Sequence, residues 1–444
     1  MESMEAPPTT PNASSSTPAE PTPYRLGAYG LFVLMIVYML NFLDRQIVNI
    51  VAESIKADLH ISDKQLGLIT GLSFALLYTT LGIPLARLAE RRNRVHVIGG
   101  SLLCWSGFTV ACGLVNTLGG LLLTRIGVGM GEAGCLPAAH SMIAEYTPPA
   151  RRARAISIFM VGSPLGVLLG MAMGGIVSEA YGWRLSFIIA GVPGVLLTGL
   201  LLATLKDPNR AGAGSRSALP PSLKLTMTEL LGKPAYWLLT AGASFGALVT
   251  YAQGAFIASF FMRVHHDALA GVSAAMGPQA VIGVILGLIL GIGGAIGMVS
   301  GGLIADHYGR GRVRGYAIVA AISCVTVAPM FLPVVLVKSF WLAVTLLIPA
   351  AILNTLWPGP LYASIQTIVS ERSRATAAAI SLLVTSLVGL GLGPVSVGAI
   401  SDALSASMGP AEALRWALAV TPIVSLLAAA MFWLASRRPE ANPP

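Results

Sequence analysis

Residues 279–305 read QAVIGVILGLILGIGGAIGMVSGGLIA, twenty-seven residues without a charged side chain. As a helix that rises about 1.5 Å per residue, this stretch is about 40 Å long. The hydrocarbon core of a bilayer is about 30 Å thick, so the stretch is long enough to cross it. It predicts a transmembrane helix, and similar apolar runs recur along the whole chain.

The composition of the chain agrees with this interpretation. Of its 444 residues, 55% are hydrophobic and only 11% are charged, whereas about 25% are charged in soluble globular proteins. Its 28 basic and 19 acidic residues give a net charge of +9. The basic residues lie in short clusters between apolar runs, which is typical of orientation signals in membrane proteins. We therefore predict an all-α polytopic membrane protein that does not bind nucleic acid.

Apolar runs bounded by charged, Pro, Gly or Asn residues predict twelve transmembrane helices. Their approximate bounds are 27–56, 64–89, 95–115, 118–144, 154–180, 183–205, 236–263, 279–305, 314–336, 340–369, 374–402 and 412–436. A basic segment rich in Gly, Ser and Pro, 206–233, is predicted to be a cytoplasmic linker. It separates two six-helix bundles, 25–205 and 234–438. Residues 1–24 are predicted to be a disordered cytoplasmic tail, and 439–444 a second tail.

The distribution of basic residues predicts the orientation of the chain. Twenty lysines and arginines lie in loops on the side of the N-terminal tail, and six lie on the opposite side. Cytoplasmic loops carry the excess of basic residues, so both ends are predicted to be cytoplasmic. The predicted location is the cell membrane.

An internal repeat supports the division into two halves. Residues 86–94 read ARLAERRNR and residues 302–310 read GLIADHYGR, so an acid and a final Arg recur 216 residues apart. Both stretches follow the second helix of a predicted bundle. Two parallel six-helix pseudo-repeats are the simplest account.

The second of these loops resembles a signature of the major facilitator superfamily of transporters. Gly302, Asp306, Gly309 and Arg310 fit the pattern G-x-x-x-D-R/K-x-G-R, whereas 86–94 depart from it at Ala86, Glu90 and Asn93. The resemblance extends over residues 24–438, and it implies that the acid of this loop holds neighbouring helix ends together in one state of the transport cycle. The loop residues expected in conformational gating are Glu90, Arg91, Arg94, Asp306 and Arg310.

Two further strings narrow the resemblance. Residues 41–45, NFLDR, and 125–133, RIGVGMGEA, are similar to those of spinster-type lipid transporters, although organic-anion symporters carry related strings. The resemblance implies a proton-coupled carrier of an amphipathic anionic lipid, either a lysophospholipid or a sphingoid lipid such as sphingosine 1-phosphate. The alternative is a proton-coupled carrier of small organic anions or drugs. Either would work by alternating access.

Four charged residues lie inside predicted spans. They are Asp44, Arg45, Arg125 and Glu132. A charge at the centre of a bilayer is costly, so it marks a functional cavity or a buried partner. We predict that Asp44 and Glu132 couple transport to protons and that Arg45, Arg125 and Asn41 bind substrate. Alternatively, the four charges form neutral pairs that only lock the first helix to the fourth.

The second half has no such charges. Its predicted cavity wall is polar and aromatic, and the residues expected to contact substrate are Gln253, Phe260, Asn354 and Trp357. A charged wall opposite an apolar one suits an amphiphile. Ordinary helix packing would explain these residues equally well.

Repeated glycines mark the fifth and eighth predicted helices. Gly166 and Gly170 lie in the fifth, and Gly287 and Gly291 in the eighth. Spacing of GxxxG type allows helix backbones to approach closely in lipid. In the superfamily these two helices meet across the halves, so the four glycines are expected to line a moving interface. Static packing is the alternative.

No enzyme, metal or cofactor site is predicted. The four cysteines and six histidines show no ligand spacing, and HExxH is absent from the sequence. The expected partners are the lipid or organic-anion substrate, protons and membrane lipids, and the expected state is a monomer.

Overall fold

The computed structural model describes residues 26–148, 151–207, 223–272, 276–309, 312–370 and 373–439. Every regular element in these ranges is a helix, which confirms the all-α class. The helices of the first half are α1 (Ala28–Ile50), α2 (Ala52–Leu59), α3 (Asp63–Gly67), α4 (Ser73–Arg91), α5 (Arg94–Cys112), α6 (Leu118–Glu132), α7 (Cys135–Tyr146), α8 (Arg152–Met160), α9 (Gly162–Tyr181) and α10 (Trp183–Thr204). Those of the second half are α11 (Leu223–Leu231), α12 (Pro234–Val264), α13 (His266–Val272), α14 (Pro278–Gly309), α15 (Val313–Leu336), α16 (Phe340–Asn354), α17 (Pro358–Ile368), α18 (Arg374–Ser386), α19 (Gly393–Ala419) and α20 (Thr421–Ser436). The predicted tails, 1–24 and 439–444, lie outside these ranges except for residue 439.

Ten helical segments of the described chain are long and apolar enough to cross a membrane. The last of them, Thr376–Ser436, is 61 residues long and covers two predicted spans. Gly409, with φ 80° and ψ 162°, interrupts it. The predicted fourth span, 118–144, is not among the ten because it is divided between α6 and α7. These ten segments contain eleven of the predicted spans, and α6 together with α7 forms the remaining one, although the number twelve itself stays a prediction.

The fourth span of each half is broken near its middle. In the first half, α6 ends at Glu132 and α7 begins two residues after Ala133. In the second, α16 ends at Asn354 and α17 begins at Pro358. Proline has no N–H with which to continue a helical hydrogen-bond ladder, which explains the second break. Each break places a polar residue, Glu132 or Asn354, at a helix end.

The two halves are joined by close backbone contacts between the second and eleventh spans. Both spans contain a π-helical turn, Leu68–Leu72 and Leu387–Leu392. A Cβ added at Gly71 would lie 2.5 Å from the carbonyl oxygen of Leu390, so only glycine permits this approach. Such π turns often mark functional positions in helices.

The glycines of the fifth span do not all face the eighth span. Gly166 and Gly170 lie against α1, where an added Cβ would come within 2.3 Å of the Met39 carbonyl oxygen and 2.6 Å of the Leu43 oxygen, respectively. The prediction that these two glycines pack against the eighth span is therefore wrong, because they pack against α1. Residues at i and i+4 lie on the same face of a helix, so Gly166 and Gly170 both face α1. A different face of α9 packs on α14.

The contact between the fifth and eighth spans is nevertheless present. Gly287 and Gly291 of α14 pack on α9, where an added Cβ would lie 2.8 Å from the Leu168 oxygen and 2.9 Å from the Pro164 oxygen. The small residue that α9 contributes to this interface is Gly175. Movement of this interface stays a prediction.

We call the end of the bundle that holds Leu26, Arg94 and Asp207 the proximal end, and the end that holds Glu53 and Arg263 the distal end. The last part of the predicted linker, 206–233, is helical, because α11 occupies its second half. Residues 208–222 lie outside the described ranges.

Candidate functional site

The charged residues of α1 and α6 form two cross-helix pairs. The Arg45 guanidinium donates from Nε to Glu132 Oε2 at 2.7 Å, and its Nη2 lies 2.7 Å from the same oxygen. Arg125 Nη1 lies 3.8 Å from Asp44 Oδ2, a looser contact. All four predicted intramembrane charges are thus brought together in one cluster.

The two pairs differ in how well their polar atoms are satisfied. Within the described chain, neither carboxylate oxygen of Asp44 has a hydrogen-bond partner, and the same holds for Nε and Nη1 of Arg125 and for Oε1 of Glu132. A buried polar group without a hydrogen bond costs about 1–3 kcal/mol. This cost is kept in the folded protein, which is unusual for a cluster that serves packing alone.

Aromatic side chains surround Arg45. Its guanidinium carbon lies 4.7 Å from the ring centroids of both Phe74 and Tyr78 and 5.4 Å from that of Phe42. Phe74 also lies 5.4 Å from the guanidinium carbon of Arg125. One ring therefore separates the two arginines and weakens their mutual repulsion through cation–π attraction.

Glycine spacing places α6 against its neighbours. A Cβ added at Gly129 would lie 2.3 Å from the Phe74 carbonyl oxygen, and one added at Gly131 would lie 2.5 Å from the Trp105 amide nitrogen. These two glycines let α6 approach α4 and α5 at once. The approach brings Arg125 and Glu132 to α1.

Of the four charged residues, Arg45 alone is noticeably exposed. Its side chain is 13% exposed, against 0% for Glu132. The Asp44 and Arg125 side chains are nearly fully buried, and Asn41 is buried one helical turn before Arg45. Arg45 is therefore the most accessible of the four charged side chains.

A neutral polar chain occupies the related position of the second half. Thr250 of α12 donates to Asn354 Oδ1 at 3.0 Å, and Asn354 Nδ2 donates to Gln253 Oε1 at 3.1 Å. Gln253 Nε2 in turn donates to Thr421 at 2.9 Å. The predicted residues Gln253 and Asn354 are thus brought together, and their amides are occupied by protein partners.

The two aromatic residues predicted in this half lie apart. Trp357 lies in the break between α16 and α17, packs on Gly246, and has an indole N–H without a partner in the described chain. Phe260 is fully buried near the distal end, with its ring centroid 5.3 Å from Phe261 and 5.6 Å from His265. Burial lowers the pKa of His265, so its neutral ring belongs to this apolar cluster. The placement of Phe260 opposes direct contact with a ligand at Arg45.

At the proximal end, Arg94 binds residues that the sequence analysis did not connect with it. Its guanidinium contacts Asp207 and Glu145, both at 2.7 Å. Burial acts to raise the pKa of Asp207, but hydrogen bonds from Arg94 and Tyr146 outweigh it and lower that pKa. The sequence places Asp207 in the predicted linker, although it follows the end of α10 at Thr204 by only three residues.

Within the part of the chain that the structure describes, the contacts of Arg94 have no equivalent at the other predicted gating residues of the loops. Arg91 and Asp306 are exposed at helix ends. Arg310 lies outside the described residues, as does the side chain of Glu90. The gating roles of these loop residues stay predictions.

A charge cluster that the sequence analysis missed joins the halves at the distal end. Arg263 of α12 contacts Glu53 at 2.6 Å and Asp63 at 2.7 Å. Asp63 also pairs with Lys56 and accepts a hydrogen bond from Ser401 at 2.6 Å. Periodicity could not reveal these partners, because they are up to 338 residues apart in the chain.

The sequence pattern of the Major Facilitator Superfamily matches residues 34–390 of this membrane-spanning, all-helical chain. The chain belongs to that superfamily. Its members are secondary transporters, so the protein is a transporter and not an enzyme.

Similar proteins include spinster homologues and an efflux pump. An MFS-type efflux pump of Mycolicibacterium smegmatis is 31% identical over 412 residues, which cover 91% of this chain and 92% of the pump. Mouse protein spinster homolog 1 is 28% identical over 421 residues, covering 90% and 79% of the two chains. A crystal structure of a bacterial homologue of the human lysosomal transporter Spinster, inward-facing and unoccupied, has a TM-score of 0.79 at 32% identity and covers 92% of this chain and 96% of its own. This transporter therefore resembles the spinster type.

Proposed function

We propose that this protein is a proton-coupled secondary transporter of an amphipathic anionic lipid. The observation that carries the proposal is the pair between Arg45 and Glu132, with both hydrogen-bond distances at 2.7 Å. It places a partly exposed cation and a fully buried titratable acid on adjoining spans. A charge pair at this depth is costly, so its presence favours a functional role.

The coupling follows from competition for Arg45. While Glu132 is ionised, it holds the guanidinium through Nε and Nη2. Protonation of Glu132 removes the negative charge, and Arg45 is then free to bind the anionic head of a substrate. Deprotonation restores the pair and expels the anion. Proton and substrate binding are thereby linked, as any shared partner requires.

Asp44 provides a second proton site in this proposal. Its carboxylate is buried, lacks hydrogen bonds in the described chain, and has only the loose contact at 3.8 Å with Arg125. Protonation would remove an incompletely compensated charge from the interior. Arg125 would then act as the reserve cation, separated from Arg45 by Phe74.

Alternating access in this proposal uses the distal contacts as one gate. The distal ends are held together by Arg263, Glu53 and Asp63, and the similar bacterial structure is inward-facing. The proximal end would then be the cytoplasmic side, with both termini there, in the cell membrane. A lone chain contains both halves of the proposed pathway, so we propose a monomer.

The lipid class is supported by the spinster-type likeness and by the aromatic walls around Arg45. Phe42, Phe74 and Tyr78 give an apolar surface directly beside a cation. Such a pairing suits a molecule with an anionic head and an apolar tail.

Proteoliposomes test the proposal. Purified protein should move oleoyl lysophosphatidic acid when a pH gradient is imposed, and Glu132→Gln should abolish that dependence. Asp58→Asn is the matched control, since Asp58 pairs with Arg184 at the half-exposed distal surface. If the wild-type protein moves no lysolipid under either direction of the gradient, the lipid proposal fails.

A carrier of small organic anions or drugs is the second candidate. The observation that favours it is the likeness to the Mycolicibacterium smegmatis efflux pump. The same liposomes loaded with glucuronate distinguish the two. Proton-driven glucuronate movement without lysolipid movement would support this candidate.

A further inference from the structure

Three tyrosines from both halves form a group beside Arg45. Tyr78 of α4 lies with its ring centroid 4.7 Å from the Arg45 guanidinium carbon. Tyr251 of α12 interacts electrostatically with Arg45, Tyr78 and Glu132, and Tyr362 of α17 does so with Tyr78 and Tyr251. All three side chains are partly exposed. The protein therefore does not close off any of the three phenols completely.

The polar link of the second half fixes the helix that carries Tyr251. Its neighbour Thr250 donates to Asn354 at 3.0 Å, and Gln253, two residues on, accepts from the same Asn354 at 3.1 Å. The fourth span breaks just after Asn354, and Tyr362 follows on α17. Both phenols are thus positioned by one structural feature.

The hydroxyls of Tyr251 and Tyr362 are available to donate hydrogen bonds. Neither has a hydrogen-bond partner within the described chain, whereas the Tyr236 hydroxyl donates to the Ala377 carbonyl oxygen at 2.8 Å and the Tyr29 hydroxyl donates to Thr204 at 3.0 Å. A phenol placed in a low-dielectric site normally finds a partner. A ligand bound beside these two hydroxyls would supply one.

Arg45 also has donor capacity left. It binds Glu132 through Nε and Nη2, which leaves Nη1 outside the pair. An oxyanion beside Arg45 offers several acceptor lone pairs, more than one guanidinium edge satisfies. The phenol hydroxyls of Tyr251 and Tyr362, in the second half, would donate hydrogen bonds to the remaining lone pairs.

We propose that Tyr251 and Tyr362 are specificity-determining residues that donate hydrogen bonds to the oxyanion head of the substrate held by Arg45. This inference rests on the proposed function and deepens it, since it assigns the second half a direct part in head-group recognition. It selects phosphate or carboxylate heads over neutral heads with the same tail.

Tyr251→Phe and Tyr362→Phe test this, because each removes one hydroxyl and keeps the ring. Tyr236→Phe is the matched control, with its hydroxyl committed inside the protein. Affinities of the full-length protein for oleoyl lysophosphatidic acid, monooleoylglycerol and glucuronate are measured by ligand-dependent thermal stabilisation. Each test variant should weaken anion binding about tenfold, as expected for a hydrogen bond to a charged group. Tyr236→Phe should not, and binding of neutral monooleoylglycerol should be unchanged in all.

The outcomes separate this inference from the proposed function. If the wild-type protein binds either anion and both test variants bind it equally well, the tyrosine inference is overturned and the transport proposal stands. The inference is also overturned if Tyr236→Phe weakens binding as much as the test variants do. If the wild-type protein binds neither anion, the proposed function and the inference fall together.

Discussion

The two halves connect their first and fourth spans by different chemistry. In the first half, Arg45 and Glu132 form a charged link at 2.7 Å. In the second half, Gln253 and Asn354 form an amide link at 3.1 Å, extended to Thr250 and Thr421. Both links end at a residue where the fourth span breaks, Glu132 or Asn354. The two halves therefore share the position of the link, but one has a carboxylate there and the other an amide.

This difference assigns separate tasks to the halves. A carboxylate that changes protonation makes and breaks its link, whereas amides do not titrate and keep theirs. In the proposed function, the first half therefore senses protons and the second presents a constant wall. Hydrogen-bonded amide pairs stabilise the protein at every pH. The charged link is less favourable for stability, but its strength changes when the carboxylate is protonated.

Glu132→Gln should have the largest effect, because it makes the first half resemble the second. The introduced amide is neutral, like the protonated acid, so Arg45 would stay available to the anion at every pH. Proton-driven accumulation of substrate should fall about tenfold or more, given that about 1.4 kcal/mol of coupling is a factor of ten. Exchange of labelled for unlabelled substrate should continue.

Accumulation and exchange are measured in the same liposome preparation, with Asp58→Asn as the control. Accumulation at the wild-type level in Glu132→Gln would show that the charged link is only structural.

Arg263→Ala should have the next largest effect, since Arg263 links the halves themselves. Its removal leaves the Glu53 and Asp63 carboxylates facing each other with Lys56 as their remaining cation. Loss of one partner of a buried pair costs about 3–5 kcal/mol. The distal end should open, and a cysteine placed at Ser401 should react faster with a maleimide.

Lys338→Ala, at an exposed position before α16, is the control for loss of a basic residue. Exchanging the charges, with Arg263→Glu and Glu53→Arg together, should restore slow labelling. Equal labelling rates in wild type and Arg263→Ala would contradict a gating role for this cluster.

Gln253→Ala should affect stability and leave pH dependence alone. It leaves Asn354 and Thr421 without their partner, so the free energy of unfolding should fall by about 1–3 kcal/mol. Thermal unfolding in detergent measures this loss. The pH profile of transport, measured in parallel, should keep the wild-type midpoint, and a shifted midpoint would show that the second half also senses protons.

Glu229→Gln should have the smallest effect. Hydrogen bonds from Lys233, Ser373 and the Ser370 N–H lower the pKa of Glu229 to about 2, below its ordinary value of 4.5. The stabilisation is therefore fully present above about pH 4.5 and is lost as the pH falls towards 2. The variant should lose about 1 kcal/mol equally at pH 5.5 and pH 8, and the difference should shrink at pH 3.

Thermal unfolding at the three pH values checks this expectation. A difference that grows as the pH is lowered would contradict the assignment of these hydrogen bonds to the ionised form.

The sequence predicted the fold class and the central charges well, because both depend on local pattern. Long apolar runs identify spans, and Asp44, Arg45, Arg125 and Glu132 are conspicuous within them. It could not predict which acid pairs with which arginine, since pairing depends on how α1 and α6 are rotated against each other. The glycine stripe of α9 shows the same limit, as Gly166 and Gly170 contact α1.

Contacts between distant segments were the part that the sequence did not reveal. Arg263, Glu53 and Asp63 lie in different loops or helix ends, and each alone resembles an ordinary surface charge. Asp207 resembled a linker residue until its bonds with Arg94 were seen. The tyrosines beside Arg45 are single residues on separate helices, with no spacing that connects them.

Simultaneous recording of substrate flux and internal pH in proteoliposomes tests the central claim most directly. Addition of oleoyl lysophosphatidic acid to the wild-type protein should change the internal pH as the lipid moves, and the change should vanish in Glu132→Gln but persist in Gln253→Ala. Movement of the lipid through the wild-type protein without any pH change would contradict the account.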